Sequence, residues 1–139
     1  MSESVASLTL LLEQHAPWVG LTGAGISSAS GIPTYRDHRG HWLGSQPIQH
    51  QEFVEQEKKR QRYWARSILG WPRVHQARPN QTHHDLVALE SAGIISGLIT
   101  QNVDRLHQQA GAQSVIDLHG RLDQVRCLSC GHTEARSHI

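Results

Sequence analysis

The sequence has few cysteines, few aromatic residues and almost no net charge. Its 139 residues include 2 cysteines and 5% aromatic residues, and 13 Lys and Arg balance 12 Asp and Glu to a formal charge of +1. This balance gives no general field that would attract nucleic acid or an anionic membrane surface. No apolar run approaches the roughly 20 residues of a membrane-spanning helix. Composition therefore predicts neither nucleic-acid nor membrane partners.

Positive charge is also missing from the start of the chain. Residues 1–35 contain no Lys or Arg, but they include Glu3 and Glu13. A secretory signal or an Arg-rich transit peptide would show the opposite pattern, so we expect a cytoplasmic protein. With 139 residues and 37% apolar content, the chain can bury one core, which predicts one domain with an appendage.

Alternating helical and strand-like segments predict the fold class. Helices are predicted at 5–14, 82–91 and 103–110, and short apolar strands at 18–21, 94–100 and 115–118. This alternation indicates an α/β fold with a partial Rossmann-like parallel sheet and helices on both faces. A charged segment at 49–68 predicts another helix, which should end near Gly70-Trp71-Pro72. Its basic residues are interpreted as a solvated helix face rather than a nucleic-acid patch.

The most distinctive segment is GAGISSASGIPTYRD at residues 23–37, directly after the apolar strand at 18–21. A glycine turn between a strand and a helix points free backbone N–H groups outward, and the helix dipole also favours an anion. The usual dinucleotide fingerprint requires a third glycine at position 28, where Ser28 stands. The segment by itself therefore predicts an anion site and suggests a nucleotide.

Polar residues also follow the other two predicted strands. Gln101, Asn102 and Asp104 come after the strand at 94–100, and His119 comes after the strand at 115–118. Because parallel strands place their carboxyl ends at one edge of the sheet, these residues should converge with the glycine loop. Two alternatives remain open from the residues alone. Asn102 could cap a helix, and His119 could be either a packed residue or a general base.

Cys127 and Cys130 are the two cysteines of the chain. A disulfide across so short a loop adds little stability, so their spacing favours metal binding or redox chemistry. Two thiolates are half of a four-coordinate structural zinc site. His132 and His138 could complete a Cys2His2 set, but their spacing is unlike that of a zinc finger, and we favour an incomplete site.

Together these segments resemble the sirtuins, which are NAD-dependent protein deacylases. The resemblance is carried by GAGISSASGIPTYRD at 23–37, TQNVDRLHQQAG at 100–111, LHG at 118–120 and the Cys127-x-x-Cys130 pair, in that order. It covers essentially the whole chain. Residues 47–74 are most similar to the class II branch, whose mitochondrial member is associated with lipoamidase, ADP-ribosyltransferase and weak deacetylase activity.

The resemblance implies a role for each motif. Asp104 would hold the nicotinamide carboxamide of NAD, and Gln101 and Asn102 would hold the ribose and an ordered water. The loop with Pro33, Tyr35 and Arg36 would close over the nicotinamide ribose. His119 would be the general base that activates a ribose hydroxyl. An acylated-lysine protein or peptide would be the substrate. The residues implied to bind NAD are Gly23, Ala24, Gly25, Ser27, Tyr35, Arg36, Gln101, Asn102, Val103 and Asp104, with His119 and Asn102 as catalytic residues.

The resemblance also predicts an incomplete chain. Residues 1–122 would be the first part of the NAD-binding domain, and residues 123–139 the start of a small zinc-binding module in which Cys127 and Cys130 form half of the site. A partial sheet would expose an edge strand through which the chain could associate with a partner. The alternative function is a non-catalytic nucleotide-binding or interaction fragment.

Overall fold

The computed structural model describes residues 3–44 and 46–139. None of the helices in these ranges is long and apolar enough to cross a membrane. In chain order the elements are α1 (Glu3–Gln14), β1 (Trp18–Thr22), a 3₁₀ helix (Ala24–Ser30), α2 (His50–Glu55), α3 (Glu57–Gln76), α4 (Gln81–Ser91), β2 (Ile95–Thr100), α5 (Leu106–Ala110), β3 (Val115–Asp117), β4 (Gln124–Arg126), β5 (Thr133–Ala135) and a second 3₁₀ helix (Arg136–His138).

Strands β1, β2 and β3 form a parallel sheet with β2 in the centre. This confirms the predicted α/β class with a Rossmann-like parallel sheet. Thr22 pairs with Thr100, and Thr100 pairs with Asp117, so the three strands end in register. The loops that leave these strands therefore begin side by side, at one edge of the sheet.

The hydrophobic core lies against one face of this sheet. Leu98 of β2 is 1% exposed and lies in the core cluster, where Leu86 and Leu89 of α4 also pack. A Cβ added at Gly20 would lie 2.6 Å from a Leu98 methyl group, so only glycine fits beside Leu98 without displacing it. On the opposite face Leu21 is 67% exposed. Among the described strands, β1 and β3 are the edges of the sheet; association through such an edge stays a prediction.

The charged segment folds as two helices, so the prediction of one helix ending near Gly70-Trp71-Pro72 was wrong. Helix α2 ends before Gln56, whose backbone is extended, and α3 then continues through Pro72. Proline removes one backbone donor from a helix. Two contacts of Trp71 stabilise the helix next to Pro72. The Trp71 ring stacks on His75 with centroids 5.1 Å apart, and the Arg136 guanidinium lies 5.8 Å from the Trp71 ring.

Helix α5 begins at Leu106 rather than at Val103 as predicted. The residue before it, Arg105, has a left-handed backbone with φ 67° and ψ 16°. Two side-chain contacts hold this turn: Asp104 Oδ1 accepts a hydrogen bond of 3.0 Å from the Leu106 N–H, and the Arg105 guanidinium pairs with Asp117. The polar residues 101–104 are consequently a loop at the end of β2.

Strands β4 and β5 form a separate two-stranded antiparallel sheet. Both cysteines lie in the turn between these strands. The hairpin begins just after the predicted domain boundary at residues 122 and 123, and that division of the chain stays a prediction.

Candidate active site

A cavity of about 730 Å³ lies at the carboxyl edge of the parallel sheet. Its lining includes residues from all three segments that were predicted to converge. The predicted site residues that line it are Ala24, Gly25, Ser27, Tyr35, Arg36, Gln101, Asn102, Val103, Asp104 and His119. Pro33, predicted in the loop over the nicotinamide ribose, also lines it. The lining residues that were not predicted are Ile32, Thr34, Trp42, Pro47, Val74 and Leu122.

The glycine loop forms one wall of this cavity. Gly23 does not line it; instead, the Gly23 carbonyl accepts a hydrogen bond of 3.1 Å from Asn102 Nδ2. The helix after the loop is a seven-residue 3₁₀ helix, so its dipole contributes less than the sequence argument assumed. A Cβ added at Gly25 would meet no protein atom within 4 Å. The backbone is therefore open there to close approach by a ligand such as a pyrophosphate.

Ser27, Asn102 and Asp104 form a buried polar network behind the glycine loop. Ser27 Oγ donates to Asp104 Oδ2 at 2.7 Å and accepts from Asn102 Nδ2 at 3.1 Å. Asn102 thus donates both amide hydrogens to the glycine loop, one to Gly23 and one to Ser27, which leaves its Oδ1 as an acceptor. Asn102 does not cap a helix, because α5 begins four residues later, at Leu106.

His119 lies exposed at the end of β3. Its Nδ1 is 3.1 Å from the carbonyl oxygen of Gln101. Because a carbonyl only accepts hydrogen bonds, Nδ1 carries the proton in this contact, and Nε2 retains its lone pair. A neutral histidine in this tautomer is able to accept a proton. The general-base role of His119 stays a prediction that this geometry allows.

The loop at residues 31–44 contributes a second group of residues to the lining of the cavity. The Arg36 guanidinium packs over the Trp42 ring at 4.1 Å and donates to the Gly40 carbonyl at 2.7 Å. Asp37 Oδ1 accepts from the N–H groups of Arg39 and His41 at 2.8 and 2.9 Å. Arg36 therefore stabilises the loop itself, in addition to lining the cavity.

Sequence reasoning missed Trp42, Val74 and Leu122 as lining residues because they lie far apart in the chain. It also missed two buried histidines next to the site, His83 and His107, whose exposures are 0% and 1%. Burial lowers the pKa of both imidazoles below the usual range for histidine. Their positions on apolar helix faces were the only available signal, and that signal does not distinguish them from ordinary core residues.

The two cysteines are exposed free thiols in the β4–β5 turn. Backbone N–H groups of Cys130 and Ser129 that hydrogen-bond to the sulfur lower the pKa of Cys127, which suits a thiolate ligand. The Cys2His2 alternative does not form: His132 and His138 instead contact the Glu134 carboxylate at 3.4 and 2.6 Å. Across residues 3–44 and 46–139, no group of three potential metal ligands converges. The cysteine pair fits half of a zinc site.

A parallel α/β sheet with a glycine loop after its first strand, and with polar residues at the carboxyl ends of the others, defines a Rossmann-like nucleotide-binding protein. The family follows from comparison with known proteins. The model of the Sir2 family matches residues 23–139. The chain belongs to the Sir2 family, and the resemblance to sirtuins is confirmed.

Curated relatives include NAD-dependent protein deacetylase 2 of Bradyrhizobium diazoefficiens, which is 55% identical over 133 residues and matches 96% of this chain and 49% of the relative. The NAD-dependent protein deacetylase of Xanthomonas axonopodis pv. citri is 59% identical over 128 residues, covering 92% of this chain and 44% of the relative. The chain thus spans about half the length of the curated relatives it matches.

Solved structures agree with this assignment. A complex of Sir2 with a p53 peptide and NAD+ has a TM-score of 0.82 and 35% identity, and covers 100% of this chain and 54% of the solved chain. Sir2 bound to an acetylated peptide has a TM-score of 0.80 and 34% identity, with 100% and 54% coverage.

Proposed function

We propose that this chain is part of an NAD-dependent protein-lysine deacylase of the deacetylase or lipoamidase type, with ADP-ribosyltransferase activity as a second use of NAD. The observation that carries the proposal is the single cavity at the carboxyl edge of the sheet, which unites the glycine loop, residues 101–104 and His119. Support comes from relatives named as NAD-dependent protein deacetylases and from Sir2 structures that contain NAD+ or an acetylated peptide.

The residues of the cavity fit NAD. The open backbone at Gly25 suits the pyrophosphate, and Asn102 Oδ1 and the Asp104 carboxylate provide acceptors for hydroxyl and carboxamide donors. When bound, NAD supplies the ADP-ribosyl group that takes up the acyl group as nicotinamide leaves. Ser27 and the Leu106 N–H hold the Asp104 carboxylate in one orientation, so the acceptor is in place before a ligand binds.

His119 provides the proton acceptor. The Gln101 carbonyl fixes its Nδ1–H, so Nε2 is the nitrogen that takes a proton from a substrate hydroxyl. The imidazolium formed in that step continues to donate from Nδ1 to the same carbonyl, which stabilises the charge. This arrangement resembles the way in which an acceptor behind a catalytic histidine fixes its tautomer in other hydrolytic sites.

The loop at residues 31–44 limits the access of water. Ile32, Pro33 and Trp42 place apolar groups around the same cavity as His119. Exclusion of water matters because the glycosidic bond of NAD would otherwise be hydrolysed without acyl transfer.

Cys127 and Cys130 would hold zinc together with two further ligands, which residues 3–44 and 46–139 do not bring to the pair. A closed four-ligand zinc site stabilises a fold and takes no part in the reaction. The cytoplasmic location stays a prediction from composition.

The test is nicotinamide release by the full-length protein from NAD and an acetyl-lysine or lipoyl-lysine peptide. We expect peptide-dependent release, and loss of it by about 10²- to 10⁴-fold in His119→Ala. Calorimetry should show that His119→Ala still binds NAD. Binding of NAD by the wild-type protein without any turnover would favour the non-catalytic alternative. Absence of binding would exclude the deacylase and leave only an interaction fragment.

A further inference from the structure

Two buried histidines next to the site each have one ring nitrogen without a hydrogen-bond partner among the described residues. His83 lies on α4 and His107 on α5, and their ring centroids are 5.0 Å apart. In each ring one nitrogen is hydrogen-bonded, while the other, His83 Nε2 or His107 Nδ1, is buried without a partner among the described residues. Leaving such a group unpaired in a core costs stability. The two unpartnered nitrogens belong to neighbouring rings, so each is a candidate partner for the other.

The contacts of His83 assign its tautomer. Its Nδ1 accepts a hydrogen bond of 3.3 Å from the backbone N–H of Asn80. A ring nitrogen that accepts carries no proton, so the proton of the neutral ring lies on Nε2. The unpartnered atom of His83 is therefore a donor.

The contacts of His107 indicate that its unpartnered nitrogen is an acceptor. Its Nε2 lies 2.8 Å from Thr22 Oγ1, and the Thr22 hydroxyl donates to Thr100 Oγ1 at 2.8 Å. Thr22 has one hydroxyl hydrogen, and when this hydrogen points to Thr100, Thr22 accepts from His107 Nε2–H. This orientation is the one that leaves His107 Nδ1 able to accept from the donor of His83. The unpartnered Nδ1 of His107 is therefore an acceptor, next to the donor of His83.

We propose that His83 and His107 form a directional hydrogen-bond relay, from the start of α4 to the ends of β1 and β2, that positions Asn102 in the active site. The link that closes the relay is a hydrogen bond from His83 Nε2–H to His107 Nδ1. A centroid separation of 5.0 Å is short enough for an ordinary N–H···N distance when the two nitrogens face each other.

The relay reaches the site through two threonines. Thr22 is the last residue of β1, immediately before the glycine loop, and Thr100 is the last residue of β2. Thr100 Oγ1 also accepts a hydrogen bond of 3.1 Å from the backbone N–H of Asn102. Asn102 in turn holds the glycine loop through Gly23. His107 thereby fixes both strand ends without touching the cavity, so it is a positioning residue.

The relay requires both rings to be neutral. The charged and titratable groups around His83 are His107, Asp104 and His84. Those around His107 are His83, Asp104 and Asp117. Burial is the largest influence on both rings and lowers the pKa of each, which favours the neutral pair near neutral pH.

The proposal rests on the proposed function for its kinetic test. In the full-length protein, His107→Gln keeps an amide N–H that can donate to Thr22, whereas His107→Leu removes it. We expect His107→Leu to lower kcat/KM for NAD by about 10- to 100-fold, since small displacements of positioned groups have effects of this size. The loss of kcat/KM in His107→Gln should be much smaller. His84 is the exposed neighbour of His83, and the control variant His84→Gln should leave kcat/KM unchanged. Equal losses in the Gln and Leu variants at equal thermal stability would show a packing role only and overturn the proposal.

A spectroscopic measurement separates failure of the relay from failure of the proposed function. Nitrogen-15 NMR of the wild-type protein should show both rings protonated at Nε2 near neutral pH. His83→Phe should shift the Nδ1 resonance of His107, because that nitrogen loses its hydrogen-bond donor. A His107 proton on Nδ1, or no change in His83→Phe, would overturn the relay even if the protein is an active deacylase. If the wild-type protein shows the expected tautomers but no turnover, the proposed function is contradicted and the relay is supported.

Discussion

Ser27 and Asp104, 77 positions apart in the sequence, are joined by a buried hydrogen bond of 2.7 Å. The bond connects the glycine loop after β1 to the polar loop after β2. Asp104 itself is 9% exposed, so its carboxylate depends on such partners rather than on water. The candidate NAD site is therefore built on a contact between two chain segments that only the sheet brings together.

Ser27→Ala removes this hydrogen bond and also one acceptor of the Asn102 amide. We expect the free energy of unfolding to fall by about 1–3 kcal/mol, because buried polar groups lose their partner. NAD affinity should fall as well, since Asp104 and Asn102 are no longer held. Denaturant unfolding and calorimetry measure the two effects. Ser28→Ala, at an exposed position next in the chain, is the control, and equal behaviour of the two variants would contradict the prediction.

Leu98→Ala tests the position of the core. Leu98 is 1% exposed at the centre of the sheet, so its truncation should lower the free energy of unfolding by about 2–5 kcal/mol. Leu69→Ala is the matched control, because Leu69 is 82% exposed and should change stability by less than about 0.5 kcal/mol. Denaturant unfolding of both variants checks the prediction, which fails if their losses are similar.

The buried histidines should make stability depend on pH. Burial lowers the folded-state pKa of His83 and of His107 below the usual 6.5 of a histidine, so the unfolded chain binds more protons below that pH. Their contribution to stability is therefore complete above about pH 6.5 and decreases as pH falls below it, by up to about 1.4 kcal/mol per pH unit for each ring. Urea unfolding between about pH 5 and 7.5 measures this slope.

His107→Gln should reduce the slope and His84→Gln should not. The carboxylates with lowered pKa, among them Glu52 and Asp123, act at lower pH, below the usual carboxyl pKa of about 4. A slope that persists unchanged in His107→Gln would mean that other groups cause it.

Cys127→Ser should abolish zinc binding by the full-length protein, since a structural zinc site needs all four of its ligands. Metal analysis of the purified protein measures bound zinc per chain. Ser129→Ala keeps the backbone N–H that points at the Cys127 sulfur and should retain the metal. Zinc retained equally in both variants would show that Cys127 is not a ligand.

Several features followed from local sequence. The strand before Gly23, the helix after Asn80 and the polar residues after Thr100 were all predicted, because each depends on the pattern within a short segment. Convergence of the loops was predicted as well, since parallel strands in register must place their ends together.

Two local predictions failed where contacts with distant residues outweigh sequence preference. Helix α3 continues through Pro72 with Trp71 packed against Arg136, which lies on a different element. Helix α5 starts late because Asp117 of β3 holds Arg105 in the turn before it. Propensity describes a residue and its neighbours in sequence, and these partners lie 12 or more positions away.

The sequence by itself determined the family, the fold class and the set of candidate residues, because motifs such as residues 23–37 and 100–111 are contiguous. Only the tertiary structure decided how those residues are used. It assigned the Asn102 amide to the glycine loop rather than to a helix cap, fixed the tautomer of His119 through Gln101, and brought His83 next to His107. Hydrogen bonds between such residues depend on strand register and helix packing, which no short segment of sequence specifies.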